Sequence, residues 1–170
     1  MKKIILALFA VFTTFTSVLA QKGTLSYLDE KKGFKGIVLG DSINRYSNIL
    51  EVSKNGVFNV TDSTMLRIGK DVNLILVQVK EYQGLIHSIS AVAKKEYGSK
   101  LFNIFIPAYG ISYVQLNQFK KNYIWIADSV ELDFFNDDTK FCAFTIKDLK
   151  LEKAKSIEEK ENTNKAVDDL

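Results

Sequence analysis

The stretch from Asn122 to Ile146, NYIWIADSVELDFFNDDTKFCAFTI, reads as three antiparallel strands and decides the fold. Glu131 and Asp133 alternate with Val130, Leu132 and Phe134, and Cys142, Phe144 and Ile146 fall at every second position, the period of a strand with one buried face. Asp128-Ser129 and Asn136 to Lys140 interrupt the pattern as turns. The stretch holds the only tryptophan, Trp125, the only cysteine, Cys142, and Tyr123, Phe134, Phe135, Phe141 and Phe144. Most of the core is therefore expected to form against it.

Upstream, Val72 to Val79 is densely apolar and β-branched, Gln83-Gly84 supplies a turn and Leu85 to Val92 returns, which makes a hairpin. A short strand at Val57–Val60 follows the Asn55-Gly56 turn, and Phe34 to Gly40 reads as another extended segment. Two helices are expected. One covers 42–51, opened by Asp41 or Ser42 as a cap, with Ile43, Tyr46, Ile49 and Leu50 on one face. The second starts at Ser99 and stops near Gly110, with Pro107 disturbing its last turn. Asp62–Lys70 and Ile111–Lys121 read as connections. The sum is an α+β domain, an antiparallel β-sheet with two short helices packed on one face, and the repeated order of helix then strands suggests two modules.

The ends differ in character. Met1-Lys2-Lys3, an apolar run and small residues at Val18-Leu19-Ala20 form a signal-peptide pattern over 1–20, cut after Ala20. Its apolar run is too short for a bilayer span of roughly 20 residues, so no integral membrane span is expected after cleavage, and the address is periplasmic or secreted. Residues 21–33 read as a polar N-terminal arm, 34–148 as a single domain and 149–170 as a charged flexible tail. Removing Lys2 and Lys3 lowers the net charge from +3 to +1. With Arg45 and Arg67 the only arginines and no basic cluster among aromatics, no nucleic acid is expected as a partner.

Leu39-Gly40-Asp41-Ser42-Ile43 at the first helix start, Ala108-Tyr109-Gly110 at the end of the second and Trp125 entering the last strands carry a resemblance. The order resembles small exported bacterial envelope proteins built of helix-then-strand modules, of the outer-membrane assembly lipoprotein and β-lactamase inhibitor protein types. That resemblance implies a binding module in place of an enzyme, across residues 34–146. No cysteine follows Ala20, so the lipid-anchored form is not expected.

Chemistry-bearing patterns are sparse. His87 is the only histidine, which excludes zinc sites needing two and leaves acid–base schemes without a visible partner. Cys142 alternates with Phe144 and Ile146 and reads as a buried hydrophobe. Glu131 and Asp133 alternate with Val130, Leu132 and Phe134, as the wet face of a strand would. Asn136-Asp137-Asp138-Thr139 lacks the spacing of a calcium loop. Asn59-Val60-Thr61 fits a glycosylation acceptor, and Asp41-Ser42-Ile43, Asp62-Ser63-Thr64 and Asp128-Ser129-Val130 resemble an O-glycosylation tripeptide. No nucleophile elbow, phosphate loop or dinucleotide fingerprint occurs, so no catalytic residue, metal or cofactor is expected.

The strands pose one question. Leu74 and Leu76 should point opposite to Ile75, Val77 and Val79, and Tyr123 and Trp125 opposite to Ile124 and Ile126, so central strands read as apolar on both faces. Either other segments close over the second face, or Tyr123 and Trp125 anchor an exposed aromatic binding patch for a protein or envelope component. The expected function is an exported, non-enzymatic interaction module, with an inhibitor or immunity protein as its narrower form. The alternative is a small exported hydrolase or ligand-binding protein with a dispersed site.

Overall fold

The computed structural model describes residues 21–168. The signal-peptide expectation for residues 1–20 lies outside them.

The first ordered element is a helix, α1, at Leu25–Lys31. The arm expected over 21–33 is thus helical in its middle, and the reason is Leu28. It is almost wholly buried and stabilises the docked turn by about 1.5–3 kcal/mol. Lys32 closes α1 in the left-handed conformation, its N–H bonding Leu28 O. A small hairpin follows, β1 at Gly33–Phe34 against β2 at Ile37–Val38.

The helix expected over 42–51 does not form. A single 3-10 turn spans Ile43–Tyr46, and Leu50–Lys54 is strand β3. Asp41 does not cap the turn: its Oδ2 accepts from Arg45 Nη1 at 2.8 Å and from Tyr46 Oη at 2.7 Å. The segment's far end is taken by the Asn55-Gly56 hairpin, which pairs β3 with β4 at Val57–Val60. Interstrand pairing over five residues outweighs a short amphipathic pattern. Another 3-10 turn at Ser63–Leu66, capped by Asp62, and a two-residue strand β5 at Arg67–Ile68 occupy the expected loop.

The expected hairpin is β6 at Val72–Tyr82 against β7 at Leu85–Lys94. A bulge in β6 resolves the two-faced reading. Leu74 opposes Ala93 and Leu76 opposes Val92, so Ile75 is an extra residue that resets the phase. Leu74, Val77 and Val79 all reach the core, while Ile75 is exposed.

Helix α2, Gly98–Tyr109, contains Pro107 and ends at Gly110, as its sequence predicts. Strand β8 at Val114–Gln115 leads to the meander β9 at Asn122–Ile126, β10 at Val130–Phe135 and β11 at Phe141–Asp148. The charged stretch expected to be a tail is helix α3, Leu149–Asp168. Asp148 starts it, Oδ1 accepting from the N–H groups of Lys150 and Leu151 at 3.0 Å. Glu, Lys and Ala, all strong helix formers, continue it.

The main sheet runs β3-β4-β6-β7-β11-β10-β9-β8, every pair antiparallel, with β5 beside β6. Each half of the chain supplies one meander, and β7 and β11 join them along seven registered pairs from Phe141↔Lys94 to Lys147↔Ser88. The fold is α+β, with α1 and α2 packed on one sheet face. Under them lie Val77, Ile89, Phe144, Phe134 and Trp125, with Leu101 and Phe105 descending from α2. Among the described residues no helix is long and apolar enough to cross a membrane.

Candidate functional site

Of the two alternatives for Tyr123 and Trp125, an exposed binding patch or a covered core, the structure shows the covered core. Trp125 is 0 % exposed and Tyr123 only partly accessible. The covering material is α2 and the chain that leaves it. Phe105 meets the Trp125 ring edge-on at 6.0 Å and Tyr113 stands 5.4 Å away, while Phe102 lies 4.4 Å from Tyr123. Gly110 turns the chain over the ring, and its carbonyl accepts from Trp125 Nε1 at 2.9 Å. Gly110 has φ +85°, and a Cβ there would lie 2.4 Å from Gly23 O, so only glycine fits. The ring's one polar atom is satisfied, which makes Trp125 a core residue.

The opposite face of the sheet is polar in its middle. One registered row runs Asn59, Gln78, Ser90, Thr145, Asp133 and Ile124. Gln78 Nε2 donates to Asn59 Oδ1 at 3.0 Å, and Ser90 Oγ and Thr145 Oγ1 are 3.1 Å apart. The Asn59 side chain is therefore already engaged. Lys147 pairs with Glu131 at 2.9 Å. Burial pushes the Asp133 carboxyl above the usual carboxylate range, with Lys147 opposing and Glu131 reinforcing. These carboxylates are half-buried, not fully solvated as the alternation suggests.

His87 has a partner that its sequence neighbourhood conceals. It is the extra residue of a second bulge, where Lys80 opposes Ser88 and Glu81 opposes Ile86. The ring is 3 % exposed, and Nδ1 lies 2.9 Å from Glu152 Oε2 on α3. Burial holds the imidazole below its ordinary pKa, Lys155 acting in the same sense and Glu152 against it. The neutral ring thus donates from Nδ1, while Nε2 is enclosed without a partner. A base must reach its substrate, and this nitrogen is enclosed. The pair fastens α3 to the hairpin tip, helped by Glu158, which accepts from Tyr82 Oη.

Cys142 is fully buried, and burial raises its thiol pKa. Asp138 Oδ1 accepts from the N–H groups of Lys140 and Phe141, so the acidic Asn136–Lys140 stretch is a braced hairpin turn. No group of three or more potential metal ligands occurs among the described residues. A cleft of about 430 Å³ lies between α1, the β1–β2 hairpin and the end of α2. One of its two lysines, Lys35, is spent on the Thr64 and Arg67 carbonyls.

The exposed apolar surface lies where the sequence reads only as a connection. Ile111 is 78 % exposed, Val114 51 %, Leu116 69 % and Phe119 84 %. Residues 114–121 are all exposed and form a flap, its first two residues the edge strand β8 and the rest the loop that leaves it. Local bonds hold its tip: Asn117 Oδ1 accepts from Phe119 N–H at 2.8 Å, Asn117 O from Lys120 N–H at 3.0 Å, and Gln115 Nε2 donates to Lys120 O at 2.8 Å. The bracing polar groups are spent on one another, so Leu116 and Phe119 stand free. Between Tyr97 and Ala127 the chain carries Lys100, Lys120 and Lys121 and no acidic residue.

No protein-family profile, curated protein or solved structure matches this chain.

Proposed function

We propose that this chain is an exported, non-enzymatic interaction module that holds a protein or envelope component by contact through its flap. The observation that carries the reading is the set of large apolar side chains presented by a locally braced loop that packs little of itself into the core. Contiguous exposed apolar groups of this kind mark contact surfaces. The aromatic anchors expected at Tyr123 and Trp125 are replaced in that role by Leu116 and Phe119. An inhibitor or immunity protein for an exported enzyme is the narrower form of the same reading.

The test is photo-crosslinking in native cells. A benzoylphenylalanine at Phe119 is expected to give a discrete adduct, while the same group at Val52, exposed on the far edge strand β3, is not. The chain is expected to start at Gln21 in those preparations. Adducts at neither position, or turnover of a substrate by the purified chain, would overturn the reading.

A further inference from the structure

We propose that the component met by the flap is an anionic lipid bilayer, with Leu116 and Phe119 entering the interfacial zone and Lys120 and Lys121 meeting its headgroups. The inference rests on reading the flap as a contact surface.

Shape comes first. The flap protrudes and is not a groove: all of residues 114–121 are exposed, and their backbone at the tip is closed by Asn117 and Gln115. The N–H groups of Phe119 and Lys120 and the C=O groups of Asn117 and Lys120 are paired before any contact is made. A loop entering an apolar medium needs that internal pairing, because the medium offers no replacement.

Charge comes second. The interfacial combination is apolar side chains with lysines beside them and no anion among them. From Tyr97 to Ala127 this chain has that composition. The flap tip lies at the end of the sheet where β9 starts at Asn122, opposite Phe135, and where β11 starts at Phe141, opposite Lys94. That end therefore also carries Lys94, Lys140, and the half-exposed Phe135 and Phe141. Its acidic residues are Glu96, Asp137, Asp138 and, in the turn between β5 and β6 next to Lys70, Asp71; the Asp138 carboxylate is occupied by two backbone N–H groups. The opposite end of the sheet, where α3 leaves, exposes Leu85 and Ile126, but no apolar side chain there is as open as Leu116 or Phe119.

The experiment uses the full mature chain and large unilamellar vesicles of phosphatidylcholine, with or without about a third phosphatidylglycerol, at low and high salt. Co-sedimentation is expected with the anionic vesicles, falling steeply with salt, and not with phosphatidylcholine alone. Lys120→Glu with Lys121→Glu is expected to weaken it by at least about tenfold, since each lysine near an anionic surface is worth roughly fivefold. Leu116→Ser with Phe119→Ser is expected to abolish it while near-ultraviolet dichroism stays unchanged. Phe119→Trp adds an emission that is expected to shift blue on vesicles and to be quenched by brominated lipid, with buried Trp125 as the unquenched internal reference.

Equal sedimentation on neutral vesicles, no sedimentation at all, or an unshifted added emission would overturn the proposal. A protein adduct from Phe119 without vesicle binding would overturn it and leave the contact-module reading standing. A dimer lost on Phe119→Ser would overturn it in favour of a second copy. Neither adduct nor vesicle binding would overturn both.

Discussion

His87 shows how one side chain ties two distant parts of the chain together. Its bulge falls in the run Ile86 to Ile89, every residue of which is buried, and α3 brings Glu152 to Nδ1 at 2.9 Å. The charges facing the ring are Glu152 and Lys155 from α3 and Lys80 from β6. Because burial lowers its pKa in the folded chain, the unfolded chain takes up the proton first as pH falls below about 6.5. The contribution is therefore complete above that pH and is lost as pH drops toward the depressed native value. The loss is at most about 1.4 kcal/mol for each pH unit of that window. His87→Gln keeps a donor for Glu152 and does not titrate. Urea unfolding at pH 7.5 and 5.5 is expected to show a larger drop for the native chain than for the variant. Parallel drops would mean that the ring is not held neutral.

At the scale of elements, α2 starts by resting on the turn between β10 and β11. A Cβ on Gly98 would lie 2.1 Å from Asn136 Oδ1 and 2.5 Å from its Cγ. Asn136 cannot swing away freely. It is buried, its N–H bonds Lys121 O at 2.8 Å, and its carbonyl takes Lys95 Nζ. Gly98 has ordinary helical φ, so alanine would gain up to about 1 kcal/mol of helix propensity. Overpacking costs about 1–3 kcal/mol, and the clash wins. Gly98→Ala is expected to lower stability by that amount, and adding Asn136→Ala is expected to return part of it, a coupling of about 0.5–3 kcal/mol in a denaturation cycle. A stabilised Gly98→Ala would contradict the packing. The start of α2, expected at Ser99 and found at Gly98, was legible from its apolar period, as were the two long hairpins. What was not legible depended on distant partners. The helical pattern over 42–51 is overridden at its far end, where Leu50 opens the strand paired with β4. Leu28 shows its worth only beneath the sheet face, and Ile75 and His87 break the alternation because bulges leave no mark in composition. The flap was hidden for the converse reason: it makes few distant contacts, and only its lack of acidic residues beside Leu116 and Phe119 marks it.

For the molecule as a whole, the arrangement of the two meanders makes the flap dispensable for folding. Cutting the chain after Gln118 leaves β8 and everything before it in one piece, and β9, β10, β11 and α3 in the other. What joins the pieces is the β7–β11 ladder of seven registered pairs, the layer of α2 over Trp125, Phe134 and Phe144, and the short β8–β9 pairing. With Cys142 the only cysteine, no disulfide takes part. Each Phe or Trp shared across that layer is worth about 3–5 kcal/mol against alanine, far more than the added entropy of freeing two loop ends. A protease site inserted between Gln118 and Phe119 and then cut is expected to leave one species on gel filtration. That species should unfold in a single transition at a modestly lower temperature, unaffected by reductant. The piece beginning at Phe119 should not fold alone, because Trp125, Phe134 and Phe144 would then face water. Separation of the two pieces in native buffer would show that the halves are held together by the covalent chain and not by the shared core.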